Sequence, residues 1–283
     1  MFSERTLSAG PVRLNILDGP KHGPPLWLLH GVARRGLDFA PLLADLSVRW
    51  AVRAPDQRGH GRSERAPGRY HVTDYVADLI ALLRRGPEPA VLVGHSLGAL
   101  VALGAAATAP LAVRAVVLLD PPSGPFLARS GETIYRDLWT GMRRLAGGGR
   151  PLTATARELA ELTLPGASPG ETVRLGELRD AAAVRLMARC LHDLDPDVLG
   201  PPLDGTWLNG FDPLALAAKV RCPVLLVAAD TNCGGMLPPT DADALAAALP
   251  DCCRVSLPGV GHLTHWQAPE ATLRVLHAFL ASL

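Results

Sequence analysis

Residues 90–98 read AVLVGHSLG, and this segment indicates both a fold and a reactive side chain. Its first four residues are continuously apolar, as a strand covered on both faces of a parallel sheet requires. A G-x-S-x-G pattern follows, and then a long helical run. On such a sharp strand-to-helix turn a serine presents its oxygen, while Gly94 and Gly98 let the neighbouring backbone approach closely. The pattern predicts that Ser96 is a nucleophile; the alternative is a plain turn in which Ser96 only caps the helix.

Short apolar runs and helical segments alternate along most of the chain. Further apolar runs, each closed by a turn signal, lie at residues 26–29, 50–53, 115–119, 223–229 and 254–257. Helical patterns lie at residues 73–85, with Thr73 as the expected N-cap, and at residues 241–249 and 269–283. This alternation predicts right-handed βαβ crossovers and one mostly parallel sheet with helices on both faces. Residues 12–17 alternate in polarity and predict an antiparallel hairpin at one edge.

Residues 121–221 interrupt this alternation. No clear strand is visible between Asp120 and Arg221, and the segment is helix-forming with a few glycine and proline breaks. A stretch of about 100 residues is too long for a loop. We therefore interpret residues 121–221 as a helical cap, or lid, inserted into a core domain made of residues 1–120 and 222–283.

The overall composition excludes several classes of protein. The chain has 283 residues, of which 48% are hydrophobic, so a large α/β domain can bury a sizeable core. Lys and Arg number 28 against 27 Asp and Glu, without a basic block, which argues against nucleic-acid binding. The longest apolar stretch, residues 97–113, is too short to span a membrane. The cysteines are odd in number and form no CxxC, so we expect free thiols in a cytoplasmic protein. The oligomeric state stays open.

Two further loops carry the groups that an acyl-transfer nucleophile needs. A tetrahedral intermediate requires N–H donors for its oxyanion. One is expected from Leu97, the residue after the nucleophile, and the other from Val32, in the His-Gly-Val loop after an early strand. The Gly-Val-Gly-His segment at residues 259–262 places His262 late in the chain, where the order Ser–acid–His locates the general base. His265 is expected to pack or to form a hydrogen bond instead.

Four motifs in this order resemble those of the α/β-hydrolase superfamily: HG at 30–31, DQRGHGRS at 56–63, GHSLG at 94–98 and GH at 261–262. The resemblance implies a mostly parallel eight-stranded sheet with helices on both faces, and a helical cap inserted between the sixth and seventh strands. It also implies that residues 56–63 form a structural turn without a catalytic role.

The cap implies a pocket closed over a small or medium substrate. Phe126, Trp139 and Trp207 are the aromatic candidates to line this pocket, although aromatic residues in a cap serve as often as simple core. The sequence contains no phosphate loop, metal-ligand cluster or dinucleotide fingerprint, so we expect neither a metal nor a cofactor.

The acid of a Ser–His–acid triad is the point at which the sequence departs from the superfamily. The usual acid follows the seventh strand, and that position is here Asn232, which has no charge. Asp120, at the end of the sixth strand, and Asp230, at the end of the seventh, both remain. A carboxylate is needed to hold one histidine tautomer and to stabilise the imidazolium. We favour Asp120, because it ends the strand next to the nucleophile strand, and keep Asp230 as the alternative.

The resemblance also narrows the reaction. Haloalkane dehalogenases and epoxide hydrolases of the superfamily have Asp at the nucleophile position, so Ser96 argues against both. An acyl-enzyme on Ser96 suits a carboxylic ester or a lactone. A perhydrolase, a C–C hydrolase or a lyase on the same scaffold is the alternative among enzymes. A non-catalytic small-molecule receptor is the alternative outside them, because a fold alone does not fix a function. The sequence does not identify the natural substrate.

Overall fold

One eight-stranded sheet organises the structure. The computed structural model describes residues 1–130, 134–165 and 172–283 of the chain. Within these ranges the strands are β1 (Ser3–Ala9), β2 (Val12–Asp18), β3 (Pro25–Leu29), β4 (Ala51–Pro55), β5 (Ala90–His95), β6 (Val113–Leu119), β7 (Thr163–Pro165), β8 (Thr172–Arg174), β9 (Val224–Ala229) and β10 (Cys252–Leu257). The large sheet has the order β1-β2-β4-β3-β5-β6-β9-β10, and β7 pairs with β8 in a separate ribbon.

The large sheet is parallel except at one edge. β1 pairs with β2, and β2 with β4, in antiparallel register, whereas the other neighbours run parallel. The prediction of a mostly parallel eight-stranded sheet is confirmed, and so is the edge hairpin, since residues 12–17 lie in β2. The carboxyl ends of the parallel strands meet at one edge of the sheet, where an open α/β fold forms its ligand crevice.

Helices cover both faces of this sheet. Along β5, Leu92 packs in one hydrophobic cluster with residues of the helices α2 (Val72–Leu83) and α3 (Leu97–Thr108). Val91 and Val93 pack in the other cluster with α1 (Ala40–Leu46) and α13 (Pro269–Leu280). Burial on both faces explains why the sequence of this strand is apolar without alternation. The helices are α1 (Ala40–Leu46), α2 (Val72–Leu83), α3 (Leu97–Thr108), α4 (Gly124–Ser130), α5 (Ile134–Leu145), α6 (Leu152–Ala160), α7 (Leu175–Leu178), α8 (Ala181–His192), α9 (Gly200–Leu203), α10 (Pro213–Ala217), α11 (Pro239–Ala248), α12 (Thr264–Gln267) and α13 (Pro269–Leu280). Across the described ranges, no helix combines the length and the apolar character that a membrane span needs.

The helix boundaries differ from the sequence prediction by at most three residues, and two of them are informative. α2 begins at Val72, and its N-cap is His71 and not Thr73. The backbone N–H of His71 donates to the carboxylate of Asp74 at 3.1 Å, so an acidic side chain in the first turn satisfies the cap. At the other end of the chain, α13 stops at Leu280 and does not extend through the last residues.

The segment between β6 and β9 contains helices α4 to α10 and the small β7–β8 ribbon. The ribbon corrects the expectation that residues 121–221 contain no strand. Each of its strands has three residues, too few for a period-two pattern to be visible in the sequence. Because β6 and β9 are neighbours in the large sheet, the chain leaves the sheet after β6 and returns beside it. Residues 121–221 are called the insertion below.

Candidate active site

Ser96 lies on the turn between β5 and α3, in a backbone conformation that L-residues rarely adopt. Its φ is 53° and the residue is 3% exposed. The turn is tight: a Cβ on Gly98 would lie 1.9 Å from the carbonyl oxygen of Leu29, and a Cβ on Gly94 would lie 2.1 Å from that of Gly98. Only glycine fits at either position, which explains the G-x-S-x-G pattern. Strained backbone of this kind clusters at functional sites.

A buried carboxylate holds His262. Nδ1 of His262 lies 2.6 Å from Oδ2 of Asp120, whose side chain is fully buried. The same carboxylate accepts the backbone N–H groups of Ala229 at 3.0 Å and of Met236 at 2.9 Å, which fix its orientation. Because Nδ1 donates to Asp120, Nε2 is the atom of His262 that can accept a proton.

Asp230, at the end of β9, contacts backbone and not the imidazole. Its carboxylate accepts the N–H groups of Gly259 and of Asn232, each at 2.9 Å. These two donors hold the pKa of Asp230 below its ordinary value. Asp230 therefore ties the end of β9 to the loop that carries His262. Of the two candidate acids, Asp120 is the one that the structure brings to the imidazole ring.

The two backbone N–H groups expected to bind an oxyanion lie close to Ser96. Leu97 is the first residue of α3, so its N–H is among those at the helix N-terminus that have no acceptor within the helix. Val32 lines the same cavity as Ser96. The loop of Val32 lies against the serine, since a Cβ on Gly31 would be 3.2 Å from Cβ of Ser96. Val32 and Leu97 are thus both near Ser96, and their binding of an oxyanion stays a prediction.

Residues 56–63 support the loop after β3. Nε2 of His60 accepts the N–H of Ala33 at 3.1 Å, and Oδ1 of Asp56 accepts the N–H of Gly36 at 2.8 Å. Burial lowers the pKa of His60 to about 3, so its ring is neutral and Nε2 is free to accept. Through these hydrogen bonds, residues 56–63 help to hold the loop after β3 in position beside the site.

A second hydrogen-bonded network lies beside His262. It includes His265, which was expected to pack or to form a hydrogen bond, but the sequence analysis did not connect it with Asp38 and His95. Nε2 of His95 donates to the carbonyl oxygen of His262 at 2.9 Å. The ring of His265 lies 4.7 Å from that of His95, and its Nε2 is 3.0 Å from Oδ2 of Asp38. Although burial opposes ionisation, Arg34 and His265 hold the pKa of Asp38 well below its ordinary value.

The side chains of Asp38, His95 and His265 lie close enough together to raise the question of whether they could bind a metal ion. Their ligand atoms are all within 4.8 Å of one another. However, the guanidinium of Arg34 lies 2.8 Å from the Asp38 carboxylate and already offsets its charge. A second cation beside Arg34 would be repelled, so we interpret the group as a hydrogen-bonded network.

Ser96 and His262 line a cavity of about 710 Å³. This volume suits a small or medium organic molecule. The insertion supplies much of the wall, and the three aromatic candidates from the sequence, Phe126, Trp139 and Trp207, all line it. Trp139 and Trp207 meet edge to face with ring centroids 6.4 Å apart. The insertion therefore bounds the space next to Ser96.

Two cationic side chains that the sequence analysis did not single out, Arg34 and Arg179, also line this cavity. The sequence offered one signal that Arg34 lies near the site, since Arg34 comes two residues after Val32. Arg179 belongs to the insertion, and nothing near it in sequence indicates that it reaches the same cavity as Ser96.

Comparison with known proteins places the chain in a family. Residues 28–275 match a family model described as "Alpha/beta hydrolase family". The chain belongs to this family. The match confirms the resemblance drawn from the four sequence motifs.

Individual relatives agree with this assignment. 2-(Acetamidomethylene)succinate hydrolase of Mesorhizobium japonicum is 30% identical over 99% of the chain and 95% of that protein. A pimeloyl-(acyl-carrier protein) methyl ester esterase of Xanthomonas campestris is 29% identical over 93% of the chain and 97% of that protein. The crystal structure of E-2-(acetamidomethylene)succinate hydrolase matches with a TM-score of 0.79 and 26% identity, covering 99% of this chain and 100% of that one. These relatives are hydrolases, which supports a hydrolase activity for this chain.

Proposed function

We propose that the chain is a serine hydrolase that cleaves a carboxylic ester or lactone of a small to medium organic substrate through an acyl-enzyme on Ser96. The observation that carries the proposal is the strained Ser96 at the same cavity as His262, whose Nδ1 is paired with Asp120 at 2.6 Å. The relative named as a methyl ester esterase supports ester chemistry.

In the first half of the proposed reaction, Nε2 of His262 accepts the hydroxyl proton of Ser96 while Oγ bonds to the substrate carbonyl carbon. The carbonyl oxygen becomes an oxyanion, which the N–H groups of Val32 and Leu97 stabilise. The bond to the leaving group then breaks, and His262 returns its proton to the departing alkoxide. Asp120 holds the imidazolium throughout.

In the second half, water takes the position of the alcohol, which has departed from an ester or, in a lactone, remains attached to the acyl group as a free hydroxyl. His262 accepts a proton from this water, whose oxygen attacks the acyl carbon and restores the oxyanion. The bond to Ser96 breaks, the proton returns to Oγ, and the carboxylic acid is released. These steps need only the side chains and backbone groups named above.

We further propose that the insertion is a cap domain over a core made of residues 1–120 and 222–283. In this proposal Phe126, Trp139 and Trp207 contact the substrate. The proposal is supported by their position, since all three line the cavity that also contains Ser96.

An amide is the second candidate substrate. The relative that matches 99% of the chain is named for a compound that contains an acetamido group. An amide uses the same acyl-enzyme and differs in that the departing group is an amine. Paired ester and amide substrates of one acid, assayed side by side, distinguish the two candidates.

Hydrolysis of p-nitrophenyl butyrate by wild-type and Ser96→Ala protein tests the proposed function. We expect a burst of p-nitrophenol from the wild type, and a loss of roughly 10⁶-fold in kcat in the variant, as when a serine nucleophile is removed elsewhere. Ser47→Ala, in a loop after α1, is the control and should retain full activity. Full activity in Ser96→Ala would contradict the proposal. Wild-type protein that binds the ester without cleaving it would indicate a small-molecule receptor.

A further inference from the structure

The cavity next to Ser96 is mostly apolar, but two guanidinium groups belong to its wall. Arg34 comes from the loop after β3, and Arg179 comes from the insertion, between α7 and α8. Among the described residues that line the cavity, no aspartate or glutamate accompanies them. Histidines aside, the charged side chains in the described part of this wall are therefore cationic.

Arg34 is buried, and its contacts leave hydrogen-bonding capacity unused. Its side chain is 9% exposed, and Nη2 lies 2.8 Å from Oδ1 of Asp38. Its Nε is buried without a hydrogen-bond partner within the described ranges. A guanidinium carries five N–H donors in a planar fork. Asp38 takes one position of this fork and Nε is enclosed, so the remaining Nη donors of Arg34, which lines the cavity, are the ones available to a second anion.

Arg179 forms no ion pair in the part of the chain that the structure describes, although the adjacent Asp180 acts on its charge. It is half-buried, and its Nη1 donates to the carbonyl oxygen of Leu178 at 3.3 Å. Burial and the nearby charge of Arg34 lower the pKa of Arg179. Both guanidinium groups line the same cavity, so an anion bound between them would relieve their mutual repulsion.

The charges at this end of the cavity do not balance. Oδ1 of Asp38 faces Arg34 and also accepts the indole N–H of Trp266, while Oδ2 lies 3.0 Å from Nε2 of His265. This single carboxylate offsets one of the two guanidinium charges.

The carboxylate of Asp180, the next residue in the chain, also attracts Arg179, but Asp180 accepts the N–H of Ala183 and is not part of the cavity wall. Inside the cavity no described acidic side chain faces Arg179, and the low dielectric beside apolar walls strengthens its attraction for an anion.

We propose that Arg34 and Arg179 form a carboxylate-binding subsite, and that the substrate of Ser96 carries a free carboxylate apart from the bond that is cleaved. The statement about the substrate rests on the proposed function, whereas the anion site does not. One carboxylate matches the one guanidinium of the cavity wall that forms no ion pair, and its two oxygens match the planar fork of that group. A dianionic phosphate would leave an excess negative charge beside apolar walls and fits less well.

Isothermal titration calorimetry with hexanoate, hexanamide and inorganic phosphate tests the subsite without requiring catalysis. We expect hexanoate to bind the wild type at least about tenfold more tightly than hexanamide, which has a similar shape but no charge. Arg179→Gln should remove this preference without changing the affinity for hexanamide, and Arg179→Lys should restore part of it. Arg185→Gln, at an exposed position of α8 outside the cavity, is the matched control and should behave as the wild type does.

Four results would overturn the subsite: no binding of hexanoate, equal affinities for hexanoate and hexanamide, hexanoate binding that Arg179→Gln leaves unchanged, or tighter binding of phosphate than of hexanoate. Because Arg179 is only half-buried, the variant is expected to fold, and circular dichroism checks this. Failure of the proposed function is distinguishable from failure of the subsite. In that case Ser96 does not react with a fluorophosphonate, while the protein still binds hexanoate.

Discussion

Asp120 and Asp230 show how two aspartates with similar positions in the sequence take different parts in the structure. Each follows a strand of the parallel sheet, and both accept backbone N–H groups. Only Asp120 also contacts Nδ1 of His262, from a position 142 residues earlier in the chain. The carboxylate oxygens of Asp230 accept backbone N–H groups from its own turn and from the Gly259 loop. The choice between them could be argued from the sequence, but it depends on a tertiary contact that no local pattern contains.

Replacing each aspartate by asparagine separates the two roles. We expect Asp120→Asn to lower kcat for ester hydrolysis by roughly 10⁴-fold, because the amide no longer holds the required tautomer and stabilises the imidazolium poorly. Asp230→Asn should stay within about tenfold of the wild type, since it loses only loop contacts. Steady-state kinetics on protein checked by circular dichroism measures both effects. A crippled Asp230→Asn enzyme beside a nearly normal Asp120→Asn enzyme would assign the acid to Asp230.

Three buried histidines make the stability of the protein dependent on pH. Burial lowers the pKa values of His30, His60 and His95 below the ordinary value of 6.5. Below about pH 6.5 the unfolded chain therefore binds more protons than the folded one, so the free energy of unfolding falls as the pH falls. Well inside this window, each such histidine contributes about 1.4 kcal/mol per pH unit.

Urea unfolding at pH 7.5, 6.5 and 5.5 measures this dependence, because carboxylates titrate largely below the window. We expect the unfolding free energy to decrease most between pH 6.5 and 5.5. His60→Gln should flatten the decrease, whereas His22→Gln, at an exposed position, should not. If the unfolding free energy of the wild type is constant from pH 7.5 to 5.5, these rings bind protons in the folded protein as readily as in the unfolded chain.

At the scale of elements, the strands of the sheet were predictable because their own sequences define them. A strand such as β5 needs apolar residues on both faces, and this requirement is visible in residues 90–93. The β7–β8 ribbon was not predictable, since its two short strands are defined by pairing with each other. Likewise, the approach of Arg179 to Arg34 depends on how the insertion packs on the core. Local sequence therefore predicted the elements and the triad candidates, but not the cationic part of the cavity wall.

The insertion should determine which acyl groups are accepted. Trp139→Ala or Trp207→Ala enlarges the cavity, so we expect the ratio of kcat/KM for p-nitrophenyl octanoate to that for the acetate to rise. A change of about tenfold is reasonable for a few methylene groups in an apolar pocket. Leu214→Ala, in the insertion but outside this cavity, is the control and should leave the ratio unchanged. A constant ratio in both tryptophan variants would mean that neither residue contacts the acyl chain.

At the scale of the whole molecule, the order of the strands assembles the site. β5, β6, β9 and β10 are successive neighbours in the sheet. Ser96 follows the first of them, Asp120 follows the second, and His262 lies in the loop after the last. Parallel neighbours bring these loops to one edge, although the residues are far apart in the chain. The insertion begins after β6 at the same edge, which is why its side chains and Ser96 share one cavity.

The central claim, an acyl-enzyme on Ser96, is tested most directly by mass spectrometry of the protein after treatment with a fluorophosphonate. The account predicts one adduct per chain, located on the peptide that contains Ser96 and absent from the Ser96→Ala variant. It also predicts slower labelling of Asp120→Asn, because the base that activates the serine is no longer held in place. An adduct on another residue, or no adduct on folded wild-type protein, would contradict the account.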